Sequence, residues 1–86
     1  MKTTTWIYTI IEKIYSDNTT NVFNYSSYEK AIENYNNLKN YYLKEYDQYI
    51  KDNSYISDDH DNPCMDIYDI CYIELYYNDI DKNIDL

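Results

Sequence analysis

Between Ser26 and Asp52, Tyr28, Ala31, Tyr35, Leu38, Tyr42, Glu45, Tyr46 and Tyr49 recur at spacings of three and four, and Ile32 and Ile50 widen the same stripe. That is the period of a helix with one face on a core. The spacing therefore predicts a single long helix from Ser26 to Asp52. Ser26-Ser27-Tyr28-Glu29 reads as its capping box, with a serine oxygen accepting an orphan amide while Glu29 reaches back. At ~1.5 Å per residue, ~25 residues make a rod of roughly 37 Å, longer than any sheet a chain this size can set against it. The rest of the chain has to be organised around that rod.

The 86 residues suffice for one domain, 1–86, with one thin core. The remaining segments read as strands and turns. Thr4 to Tyr15 is rich in β-branched and aromatic residues, as a strand should be. Ser16-Asp17-Asn18-Thr19-Thr20 is a turn cluster, and Val22 to Tyr25 is a short return strand leading into the helix. Asp52 to Asp66 reads as an acidic loop, with Pro63 opposing regular structure. Ile67 to Tyr77 is a third strand, and 78–86 an acidic C-terminal tail.

The expected fold class is thus α+β, in the order ββαβ: a three-stranded antiparallel sheet with one long helix packed on one face. A right-handed crossover places the third strand beside the first, leaving the first central. Ile7, Thr9 and Ile11, with Cys71, Ile73 and Leu75, are the aliphatic sets expected to face the helix. Trp6, Tyr8, Ile10 and Glu12, with Ile70, Tyr72, Glu74 and Tyr76, would form the open face. An aromatic outer face of that kind marks a contact surface, unless Ile80, Ile84 or Leu86 of the tail folds over it.

The chain has no glycine and no arginine, a single alanine and a single proline, while Asn, Ile, Tyr, Asp and Lys abound. The abundant residues use AT-rich codons, so part of the tyrosine and asparagine excess reflects base composition. Without glycine, any position with φ > 0 must fall to Asn or Asp. Asp17-Asn18 and Tyr77-Asn78-Asp79 are the places expected to take it.

Charge is the feature that speaks most directly to partners. Residues 1–51 carry six acids and six lysines and are neutral, whereas residues 52–86 carry ten acids against Lys82, so the whole net charge of −9 lies there. Direct nucleic-acid binding needs Lys or Arg for the phosphates, and the asymmetry points instead to a basic protein surface. The apolar run Trp6 to Ile11 is too short and polar for a signal segment or a membrane span. The expected location is the cytoplasm of the cell, or of the host cell if the chain is phage-encoded.

The candidate chemistry is thin. Asp58-Asp59-His60-Asp61 lacks the alternating acids, glycine and terminal glutamate of a calcium loop, and reads as a solvated acidic segment. His60 has no nucleophile set beside it, and Cys64 is flanked by Asp61 and Asp66, surroundings that disfavour a thiolate. Cys64 and Cys71 read as reduced and structural. No metal, no cofactor and no catalytic residue is assigned, and the chain reads as a non-enzyme. Among the 14 tyrosines, Tyr28, Tyr35, Tyr42, Tyr46 and Tyr49 belong to the helix core, while Tyr8, Tyr41, Tyr72, Tyr76 and Tyr77 are interface candidates.

The ββαβ order, the closing aromatic strand Tyr72-Ile73-Glu74-Leu75-Tyr76, the acidity and the codon bias together resemble small accessory proteins of bacteriophages and mobile elements, anti-CRISPR inhibitors among them. The resemblance implies a DNA-mimicking inhibitor that occupies a nucleic-acid groove, and it assigns no residue a role.

Two functions are compatible with this reading. In the first, Asp58, Asp59, Asp61, Asp66, Asp69, Glu74, Asp79, Asp81 and Asp85 stand in for phosphates in the basic groove of a nucleic-acid-binding protein, such as a CRISPR effector. Tyr8, Tyr72 and Tyr76 then anchor the contact. In the second, the chain is a structural or assembly module, a homodimer or small subunit, joined through the aromatic sheet face or an exposed strand edge.

Overall fold

The computed structural model describes residues 6–59 and 62–79, and for Asn78 and Asp79 the backbone alone. The element order is β1 (Trp6–Ile14), β2 (Thr19–Tyr25), α1 (Tyr28–Glu45), α2 (Asp47–Asn53), β3 (Ser54–Ser57), β4 (Cys64–Ile67) and β5 (Cys71–Asp79). The strands form one sheet in the order β2-β1-β5-β4-β3, with every neighbouring pair antiparallel. The α+β class and the placing of β1 between β2 and the last strand match the sequence reading, although β5, not β1, is the middle strand of the sheet. The count of three strands and one helix does not.

The extra strands come from the segment 52–66, expected to be a loop, and from Ile67, expected to open the last strand, which instead begins at Cys71 after a turn. Ser54–Ser57 and Cys64–Ile67 pair with each other, and β4 also pairs with β5. Pro63 stands just before β4, where its missing N–H costs no ladder bond, and its carbonyl accepts from the Leu75 amide at 3.0 Å. The strands are four residues each, too short for alternation to announce them.

The helix bends at Tyr46, whose backbone (φ −120°, ψ 32°) leaves the helical region between α1 and α2. The Tyr46 amide still donates to the Tyr42 carbonyl and the Ile50 amide to the Tyr46 carbonyl, both at 3.0 Å, so Tyr46 closes α1 and opens α2. The longest strands have nine residues, about 30 Å of sheet. A straight rod over Tyr28–Asn53 would overrun that length; the bend brings Ile50 back onto the core. At the other end Ser27 is the N-cap and accepts from the Lys30 amide. The third helical position is therefore Lys30, which has no acceptor to complete a capping box, and Glu29 contributes only its charge to the first turn.

One face of the sheet meets the helices. Ile10, Met65, Ile67, Cys71, Ile73 and Leu75 pack there against Ala31, Tyr35, Tyr42 and Ile50. On β5 the aliphatic set faces the helix as expected. On β1 the expected alternation is inverted. Register pairs Ile10 with Leu75 and Glu12 with Ile73, so Tyr8, Ile10 and Glu12 face the helix, and Ile7, Thr9 and Ile11 face away. The inversion has a chemical reason. Tyr42 brings a hydroxyl into the core, and a buried hydroxyl needs an acceptor. Glu12, only 7 % exposed, supplies it: Tyr42 Oη donates to Glu12 Oε2 at 2.6 Å, and Asn21 Nδ2 donates to Oε1 at 3.0 Å.

Asn18 (φ 56°) and Asp69 (φ 67°) hold the positive-φ positions among the described residues. Asn18 closes the β1–β2 turn, as expected. Asp69 sits at the third position of the turn Ile67–Ile70, closed by the Ile70 amide on the Ile67 carbonyl at 2.9 Å, where φ > 0 is required. Asn78 and Asp79 instead continue β5.

Candidate partner-binding surface

The face of the sheet turned away from the helices carries Ile7, Thr9, Ile11 and Lys13 on β1, Tyr72, Glu74 and Tyr76 on β5, and Cys64 and Asp66 on β4. Four of the expected site residues, Tyr72, Glu74, Tyr76 and Asp66, stand together there, with Asp66 opposite Tyr72. An open groove of about 580 Å³ runs between Ile11, Glu74, Tyr76, Tyr77 and Asn62. Lys13 Nζ lies 5.9 Å from the centroid of the Tyr72 ring. Burial, then the Glu74 charge, pushes the Tyr72 hydroxyl up to about 12, so it stays a neutral donor across the physiological range. Thr9 is buried on this face, and its hydroxyl donates to Asn24 Oδ1 at 2.8 Å.

Tyr8 does not belong to this surface. It faces the helix side, edge-on to Tyr28 at 5.6 Å and tilted against Tyr77 at 6.3 Å. Trp6, also expected on the open face, packs edge-on to Tyr77 at 5.2 Å. Among the other interface candidates, Tyr41 and Tyr77 are exposed as expected.

The acids are more dispersed than one binding patch would require. Asp58 takes an ion pair from Lys39 Nζ at 2.7 Å, and with Asp59 it lines a small cleft beside Tyr28 and Tyr35 on the helix side. Asp66 accepts from the Tyr15 hydroxyl at 3.2 Å on the opposite face. Burial, then Asp66, raises the Tyr15 hydroxyl above its ordinary value. Asp69 shapes its turn and is exposed there. His60, Asp61, Asp81 and Asp85 lie outside the described residues, as does the side chain of Asp79. Lys39 and Tyr15 are partners that sequence reasoning missed: they stand 19 and 51 residues from the acids they engage, with no local pattern to link them.

What the described acids of the second half share is a position on or beside β5, β4 and β3, on both faces of the sheet. The neutral half of the chain supplies β2 and β1, and the acidic half supplies β5, β4 and β3, so strand order turns a sequence asymmetry into a spatial one. Asp52 and Asp66 also line a shallow depression with Tyr55 and Tyr68 at the β4–β3 end.

Both cysteines are free thiols, and the register places them on opposite faces. Burial, then the Glu12 charge, pushes the Cys71 thiol up to about 12. Burial, then Glu74, also raises Cys64. Both shifts disfavour the free thiolate. Among the described residues no cluster of three His, Cys, Asp or Glu side chains could hold a metal ion, and no helix is long and apolar enough to cross a membrane. No protein-family model matches the chain, and neither a curated protein nor a solved structure matches it.

Proposed function

We propose that the chain is a non-catalytic inhibitor that works in the cytoplasm by binding a basic protein, covering the surface with which that protein holds nucleic acid. The observation that carries this reading is that the described acids Asp58, Asp59, Asp66, Asp69 and Glu74 stand on or beside β5-β4-β3, while β2-β1 carry no net charge. Carboxylates satisfy arginine forks as phosphates do, and a one-sided field speeds encounter with a basic groove. Tyr72 and Tyr76, beside Glu74, supply flat contact area next to that charge. A CRISPR effector or another host defence protein is the class of partner that the resemblance to phage accessory proteins suggests.

The test is a pull-down from host lysate with nuclease present, washed at low and at high salt. A basic nucleic-acid-binding protein retained at low salt and shed at high salt is the expected result. Neutralising Asp52, Asp59, Asp66, Asp69 and Glu74 to their amides should abolish the retention. If the neutralised chain retains the same protein equally well, charge mimicry is not the mechanism.

A further inference from the structure

The two outer strands of the sheet are built differently. β3 spans only Ser54–Ser57, and Asp52, Asp58 and Asp59 flank it. Short length and charge are the ordinary protections of a sheet edge against a foreign strand. β2 has neither. It runs seven residues, Thr-Thr-Asn-Val-Phe-Asn-Tyr, with no charge and no proline, and β1 is its only partner strand among the described residues. Its outer edge therefore presents a row of backbone donors and acceptors, open to water or to another extended strand in register. Val22 is 56 % exposed and Phe23 38 %. Beside the edge, Phe23, Tyr25, Leu38 and Tyr41 line a groove of about 370 Å³ on the helix side.

We infer that the occupant of this edge is the β2 strand of a second copy of this chain, paired antiparallel about Val22, so that two five-stranded sheets join into one. Three features of the chain select that occupant. The pairing is self-complementary: about a two-fold axis at Val22, Val22 meets Val22, Asn21 meets Phe23, and Thr19 meets Tyr25, as an isologous contact requires. The charge is placed to allow it, because β2 and β1 carry no net charge and stand between the joint and the acid-bearing strands β5 and β4 of each copy. The assembly also closes: both β2 edges are used, and the ends left over are the short, acid-flanked β3 strands. The inference stands apart from the inhibitor reading, since it uses the neutral edge and needs no basic partner.

The test is the mass of the full chain by sedimentation equilibrium, over a concentration series reaching the millimolar range. The wild-type chain should be a dimer whose dissociation constant stays constant or falls as salt is raised. Val22→Lys puts like charges directly opposite each other and should raise that constant at least about fivefold. Val22→Thr, neutral and strand-favouring, should leave it within about twofold. Because Val22 is exposed, the thermal midpoint of each monomeric variant is read alongside, to show that folding is intact. A wild-type chain monomeric throughout the series overturns the inference. So does a dimer that survives Val22→Lys but is lost in Tyr72→Ala/Tyr76→Ala, which would move the contact to the open sheet face.

Discussion

Two tyrosines on one face of α1, Tyr35 and Tyr42, should answer the same substitution in opposite ways. Both are buried, and burial raises both hydroxyls above their ordinary value. Tyr42 donates at 2.6 Å to the buried Glu12 carboxylate, whereas the Tyr35 hydroxyl is buried with no hydrogen-bond partner among the described residues. Tyr42→Phe removes a hydrogen bond to a charged group and leaves Glu12 with Asn21 alone, which should cost ~2 kcal/mol, within the usual ~1.5–3 for such bonds. In a domain of this size that lowers the thermal midpoint by ~8–16 °C. Tyr35→Phe removes a hydroxyl that gives up its water without gaining a partner, so stability should stay unchanged or rise by up to ~1 kcal/mol. The assay is urea unfolding followed by far-ultraviolet circular dichroism, comparing midpoints at constant slope. A cycle completes it. Glu12→Leu alone strands the Tyr42 hydroxyl, while Glu12→Leu/Tyr42→Phe removes both ends of the bond. The double variant should therefore be at least ~1 kcal/mol more stable than the sum of the single losses implies. Equal effects at Tyr35 and Tyr42, or strict additivity in the cycle, would refute this account of the core.

Stability should fall on the alkaline side. The folded state holds the protons of Cys71, Tyr72 and Tyr42 above their ordinary values of 9.0 and 10.0, so it binds more protons than the unfolded chain there. That contribution is complete below about pH 8.5 and is lost as the pH rises toward the folded-state values near 12, which a series of thermal melts at increasing pH would show. Asn18→Val and Asp69→Val, forcing a β-branched residue to φ > 0, should each cost ~1 kcal/mol or more, while the glycine variants should be neutral or better in the same melts. Lys39→Ala should cost less than ~1 kcal/mol, because the Asp58 side chain is largely exposed. It also frees a carboxylate, so retention of a basic partner should tighten and grow more salt-sensitive. Ile50→Ala, beyond the bend, should cost ~2–3 kcal/mol in urea unfolding if α2 is held by the core.

The parts of the fold legible in the sequence were those where one local rule acted alone. The tyrosine stripe placed the helix because period 3.6 was uninterrupted over most of its length, and the want of glycine correctly led to Asn18. β1 failed because two rules competed. Aliphatic residues occupy both of its faces, and only the acceptor demand of Tyr42, 30 residues away, decides that Glu12 turns inward. The strands β3 and β4 were hidden by their brevity and by Pro63, whose placement before the ladder, not within it, is visible only in three dimensions. At the candidate surface, Tyr72, Glu74 and Tyr76 kept the expected face because the alternation of β5 is clean. Tyr8 moved with the rest of β1, and Asp58 was claimed by a lysine that no local pattern connects to it.

The placement of the acidic half has a consequence for how the molecule senses its surroundings. Five strands set the outer edges about 19 Å apart, more than twice the ~8 Å over which charges are felt at physiological ionic strength. The β3 edge thus responds to a field that the β2 edge does not register. Near a positive surface the described acids beside β3, Asp52, Asp58 and Asp59, should exert a torque before contact that turns that edge toward the surface.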